Sequence, residues 1–151
     1  FLFKLLVDYP SIEEETAIVT RFGQRQGPPR AGEFGIAAVT DARRLAQAGA
    51  ALDQVTVAGE IVDYVVRLVR ATREHADLAS GASPRAAVLL ANAARARAAL
   101  DGRDYVIPDD VKALATAVLR HRLILSPAAE IEGRAIEALV TELVEQTEAP
   151  R

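Results

Sequence analysis

Between Gly59 and His75 the apolar residues Ile61, Val65, Leu68 and Val69 recur with the 3.6-residue period of an α-helix, while Asp63, Arg67, Arg70 and Glu74 fill the opposite face. That spacing predicts an amphipathic helix with one side in a core. Asp63 with Arg67 and Arg70 with Glu74 stand four apart, where opposite charges support a solvated helix face by about 0.2–0.5 kcal/mol per pair. Ser83-Pro84 starts a second helix, rich in Ala, that runs to Leu100 and stops at Asp101-Gly102. Its face of Leu89, Ala93, Ala96 and Leu100 is small enough for a neighbouring helix to come close. Pro108 opens a third helix carrying Val111, Leu114, Ala115 and Val118, and Ile136, Leu139, Val140, Leu143 and Val144 define the last one.

The N-terminal third is patterned differently. Phe1 to Val7 is apolar except for Lys4 and predicts a buried strand, closed by Asp8-Tyr9-Pro10. Ser11-Ile12-Glu13-Glu14 reads as a capping box, with acidic residues in the positive first turn of a helix that should reach about Phe22. Residues 23–39 hold Gly23, Gly27, Pro28, Pro29, Gly32 and Gly35, which deny regular pairing and predict a long exposed loop. A short helix is expected from Thr40 to about Ala48. Val55-Thr56-Val57, Tyr105-Val106-Ile107 and Arg122-Leu123-Ile124-Leu125 are short extended pieces, of which the last two are expected to pair. The pattern as a whole predicts a mainly α domain: a bundle of about six helices, a small two-stranded β element and an initial strand.

With 151 residues the chain fits one domain. No apolar run approaches the roughly 20 residues that a bilayer demands, and no charged-then-apolar leader is present. Cys is absent, so disulfides and thiolate ligands are excluded and the cytoplasm is the default compartment. Met is absent too, and a chain that opens directly on an apolar strand reads as part of a longer protein. The net charge is −3, yet the basic residues are 16 Arg and only 2 Lys. Arg is the better planar donor to phosphate or carboxylate, although an Arg- and Ala-rich composition also follows from a GC-rich genome. A pI near 5.4 with scattered Arg argues against a nucleic-acid footprint.

Several chemistries fall away on inspection. Lys4 and Lys112 are the only lysines and neither follows a glycine-rich turn, so the chain has no phosphate-binding P-loop. Asp109-Asp110 follow Pro108 and belong to a first helical turn, where acids are favoured, rather than to a Mg²⁺-holding strand end. Gly81-Ala82-Ser83-Pro84-Arg85 lacks the second Gly of a nucleophile elbow, and Pro84 removes an oxyanion-hole N–H. His75 and His121 are isolated, with no metal-ligand spacing.

Arg85 is different. A cation in the first turn of a helix is unfavourable by about 0.3–1 kcal/mol, so something should offset it. A phosphate would, because first-turn N–H groups, helix dipole and guanidinium would converge on one anion. An acidic neighbour or solvent would serve as well, and the residues alone leave these open.

At these positions the sequence resembles the MoxR family of AAA+ ATPases. Gly81-Ala82-Ser83-Pro84-Arg85-Ala86 is similar to the family's sensor 2 segment, and Arg103 through Val111 is similar to the stretch that follows it. Val118 through Leu125, and Phe1 through Pro10, fit the same pattern. The resemblance implies an AAA+ C-terminal helical lid over residues 11–151, with residues 1–10 as the end of the AAA+ core and its linker. It implies that Arg85 is the sensor 2 arginine, with Ser83 capping its helix and Pro84 fixing the angle of the chain there. Tyr9 and Pro10 would lie near the adenine, or else form only a structural turn. ATP with Mg²⁺ would be bound mainly by the upstream core, so this chain alone would not hydrolyse it. The family further implies a homo-hexameric ring, chaperone-like remodelling or metalloenzyme maturation, and a von Willebrand A domain partner. The alternative is a helical protein–protein interaction module that meets an acidic partner through Arg67, Arg70 and Arg73, without nucleotide.

Overall fold

The computed structural model describes residues 1–24 and 27–150. Among these are seven α-helices: α1 (Ile12–Phe22), α2 (Ala42–Leu52), α3 (Gly59–Glu74), α4 (Pro84–Leu100), α5 (Pro108–Leu119), α6 (Pro127–Ile131) and α7 (Ile136–Gln146). A 3-10 turn lies at Ala31–Phe34, and two short strands, β1 (Leu78–Ser80) and β2 (Ile124–Leu125), complete the list of elements. The chain divides into two units, Leu6–Gln47 and a larger one formed by Phe1–Leu5 with the chain from Ala48 onward.

The larger unit holds the core. α4 packs against α3 and α5, and α7 packs against α3 and α5. Tyr64, Leu68, Leu90, Val111, Val118, Leu119, Leu139 and Val140 are fully buried where they meet, each large aliphatic contributing on the order of 1.5–3 kcal/mol. α3 buries Ile61, Val65, Leu68 and Val69, as its period requires. α4 buries Ala86, Leu90, Ala93, Ala94 and Ala98, whereas Leu100 is exposed and Leu89 and Ala96 are only half-buried. The expected face is therefore turned by about one residue. The reason is that α4 is flanked by two helices, so the alanines that let backbones approach face inward and only one leucine fits between them.

The two-stranded element is antiparallel, with Leu78 opposite Leu125 and Ser80 opposite Ile124. Its second strand lies where the sequence places it, but its partner is not 105–107. Those residues precede α5 and β2 follows it, so a helix of 12 residues, about 18 Å long, separates them. Tyr105 instead makes a parallel bridge to Thr56, with Thr56 N–H donating to Asp104 O at 2.8 Å and Val106 N–H to Thr56 O at 3.0 Å.

Phe1–Val7 forms no strand, and its side chains are exposed rather than buried. A strand is built by a ladder on its edge, and among the described residues this segment has one backbone bond of that kind, Lys4 N–H to Ala117 O at 3.0 Å. Arg122 holds it further through the carbonyls of Phe1 and Leu2.

In the smaller unit α1 has the expected capping box: Glu14 N–H donates to Ser11 Oγ at 3.3 Å and Ser11 N–H to the Glu14 carboxylate at 2.8 Å. Arg21 lies 5.3 Å from the Phe22 ring centroid and 5.0 Å from that of Phe34. The glycine-rich stretch is exposed where described, with the 3-10 turn inside it; Arg25 and Gln26 of the expected loop lie outside the described residues. α2 starts and ends later than expected, because Asp41 accepts from Arg44 N–H at 2.8 Å and so marks its beginning.

Candidate functional site

Ser83, Pro84 and Arg85 form the start of α4 as the sequence requires: Ser83 at the N-cap with extended backbone, Pro84 at the first helical position, Arg85 next. Pro fits there because its fixed φ suits a helix and its missing N–H is not needed. Ser83 occupies the cap without capping through its hydroxyl, which makes no such bond; the cap contact is from Ala86 N–H to Ser83 O at 2.9 Å. This departs from the expected role of Ser83, and it leaves the first turn without a side-chain acceptor.

Arg85 is exposed, and among the described residues it has no hydrogen bond or ion pair. α1, α3, α5, α6 and α7 each carry acidic residues in the first turn, whereas α2 and α4 have none, and of these two α2 has Asp41 just before it. The acidic neighbour that would have offset the cation is thus missing. The strand pairing adds a second cation. Because Ser80 lies opposite Ile124, the chain leaving β1 toward Arg85 and the chain reaching β2 from Arg122 share one end of the ribbon. Arg122 has its pKa lowered first by burial and then by the Arg85 charge. Arg122 is occupied with the carbonyls of Val118, Phe1 and Leu2, so of the two guanidiniums Arg85 is the one open to a ligand.

The approach to Arg85 is held by residues that periodicity did not single out. Ala82 N–H donates to Thr72 Oγ1 at 2.9 Å, and Arg73 Nε donates to Ala82 O at 2.7 Å. A Cβ on Gly81 would lie 2.5 Å from Thr72 O, so the glycine is the residue that allows this contact with α3. Beyond the end of α4, Arg103 donates to both oxygens of Asp110, at 2.7 and 2.8 Å, and Ile107 N–H donates to Asp110 at 2.9 Å. Burial would raise the Asp110 pKa, but the Arg103 bonds, the Ile107 N–H and the Arg97 charge lower it overall. Asp110 is therefore a helix-start carboxylate, as its position after Pro108 implies, and a buried anchor as well.

Tyr9 and Pro10 belong to the smaller unit, where both are exposed. Among the described residues no group of three or more His, Cys, Asp or Glu side chains could hold a metal ion. No helix among them is long and apolar enough to cross a membrane.

Comparison with known proteins places these features. The AAA lid domain family matches residues 70–143, a span that contains Thr72, Gly81, Arg85, Asp110 and Arg122. The chain is 37 % identical over 150 residues to the uncharacterised protein YeaC of Bacillus subtilis, covering 99 % of this chain and 45 % of that protein. It is 40 % identical over 160 residues to the chaperone MoxR1 of Mycobacterium tuberculosis, covering 100 % of this chain and 41 % of that protein. A crystal structure from Cytophaga hutchinsonii, of a protein proposed to be an ATPase, superimposes with a TM-score of 0.80 at 26 % identity, over 100 % of this chain and 47 % of that one. The chain spans less than half the length of these relatives. With a lid-family match across the core of its larger unit and MoxR relatives aligned along its length, the chain belongs to the MoxR family of AAA+ ATPases, as an AAA lid domain.

Proposed function

We propose that Arg85 is a sensor 2 arginine: it meets the terminal phosphate of ATP held with Mg²⁺ by an AAA+ core upstream of this lid and links lid position to hydrolysis. The observation that carries the reading is a cation in the first turn of α4 with no acidic partner among the described residues. Its side chain would supply a donor to charge that develops on the transferring phosphoryl group. In this reading residues 1–10 end the core and lead into the lid at 11–151, with Tyr9 and Pro10 beside the adenine. The lid alone would not hydrolyse ATP. The full-length protein would act in the cytoplasm as a homo-hexameric, chaperone-like ATPase that remodels complexes or matures metalloenzymes, with a von Willebrand A domain protein as partner; the name chaperone for the Mycobacterium relative supports that direction.

The rival reading, an arginine face for an acidic partner, loses support from the contacts of that face. Arg67 donates to Glu148 O at 2.9 Å, Arg70 pairs with Glu74 at 3.7 Å, and Arg73 holds Ala82. The test is Arg85→Ala in the full-length protein. ATP turnover should fall about a hundredfold while the melting temperature stays put, because an exposed side chain without partners contributes little to folding. Normal turnover would refute the sensor role.

A further inference from the structure

Arg85 stands three residues beyond Ala82, whose two flanking peptide groups are each held by α3. Ala82 is buried, at 1 % exposure, and its N–H is taken by Thr72 Oγ1 at 2.9 Å while its carbonyl is taken by Arg73 Nε at 2.7 Å. Thr72 is itself fully buried, and its O–H donates a hydrogen bond to Val69 O at 2.6 Å. The hydroxyl therefore donates to α3 and accepts from the strap in the same position. Val has the same shape and can do neither; Ser can do both.

Gly81 completes the arrangement. The Cβ of any other residue there would stand 2.5 Å from Thr72 O and 2.7 Å from Arg73 N and Cα, all backbone atoms that cannot turn aside. The strap thus lies directly against the end of α3. From Ala82 the chain passes through Ser83, which makes no side-chain cap bond, and Pro84, whose φ is fixed, into Arg85. With the cap hydroxyl unused, Ala82, held at both its N–H and its carbonyl, is the fixed point from which the direction of Arg85 is set.

We infer that Thr72, assisted by Arg73, is a positioning residue for Arg85. It acts by holding the Ala82 N–H while Arg73 holds the Ala82 carbonyl, and a change at Thr72 reaches the nucleotide through the arginine alone. The inference rests on the sensor role proposed above, and it adds the residue on a neighbouring helix that makes the role geometrically possible.

The test is a cycle of full-length variants, read as kcat and KM for ATP with the melting temperature measured alongside. Thr72→Val leaves a buried N–H without a partner, which the strap relieves by moving. A displacement of about 1 Å costs up to a hundredfold in rate, so kcat should fall roughly ten- to a hundredfold with KM little changed. Thr72→Ser should recover most of it. In an Arg85→Ala background the same Thr72→Val change should cost nothing further. If Thr72→Val lowers kcat equally in both backgrounds, or does not lower it at all, the inference is overturned. Should Thr72→Val fail to fold, Arg73→Gln, on an exposed side chain, removes the other half of the grip and reads the same cycle with the same criteria. If Arg85→Ala itself turns over normally, the sensor reading fails instead, so the two failures are told apart.

Discussion

Gly81 and Gly49 show how one residue type serves opposite ends. A methyl group at Gly81 would press on the Thr72 carbonyl and the Arg73 backbone, whereas at Gly49, inside α2, it would meet nothing within 4 Å. Gly81→Ala should therefore destabilise the lid by about 1–3 kcal/mol, the usual cost of overpacking, and Gly49→Ala should stabilise it by about 0.5–1 kcal/mol through helix propensity. Thermal denaturation of the two variants checks this, and a neutral Gly81→Ala would show that the strap can stand off from α3. At this scale the sequence was legible only in part. Ser83, Pro84 and Arg85 could be placed at a helix start from their residue types, since each has a position-specific reason to be there. Thr72 could not, because on a helical wheel it is one more residue on the buried side of α3, and its partner depends on a fold-back that local pattern does not encode.

The helices were readable wherever an apolar stripe ran for three turns or more, as in α3, α5 and α7, and where a cap marked the start, as in α1. The elements that escaped were short. α6 has five residues and β1 three, fewer than are needed to establish a period. Pairing of β2 went to the wrong partner for the same reason: two residues carry no register of their own, and the tertiary packing of α5 decided it. The Phe1–Val7 run illustrates the converse, since hydrophobicity signals the wish to be buried and not the neighbour that buries it. The bidentate pair of Arg103 with Asp110 ties the turn after α4 to the start of α5, and Asp110 also receives the Ile107 N–H. Ile107 has no side-chain acceptor, so Asp110 alone satisfies that helix start. Asp110→Ala removes the cap, worth about 1 kcal/mol by itself, and leaves Arg103 only Asp101 and the Tyr105 carbonyl among the described residues. A clear drop in the urea midpoint is expected, with Asp109→Ala, on an exposed neighbour that among the described residues pairs with Lys112 alone, at 3.5 Å, close to neutral.

Across the larger unit the same two kinds of group set how stability follows pH. The His121 ring nitrogens are shielded from solvent and make no hydrogen bond of good geometry among the described residues; a weak backbone interaction with Phe1 opposes the loss of the proton without outweighing it. Burial first, and the adjacent Arg122 charge second, lower the His121 pKa below its ordinary 6.5. The unfolded chain then binds a proton more readily than the folded one, so stability is complete above about pH 6.5 and declines as pH falls from there toward the folded value. Asp110 is also depressed, but from 3.8, so the stability tied to its ion pair is present above that pH and is lost only below it. As pH falls the histidine window therefore opens first. Between about pH 7.5 and 5.5 the melting temperature of the wild-type lid should therefore fall, while His121→Gln, which cannot acquire a proton, should hold a flatter profile over the same range. Asp110→Asn should leave that upper slope intact and remove the steepening below about pH 4. An unchanged slope in His121→Gln would mean that another group carries the upper transition, and that the histidine beside Arg122 takes up its proton without strain.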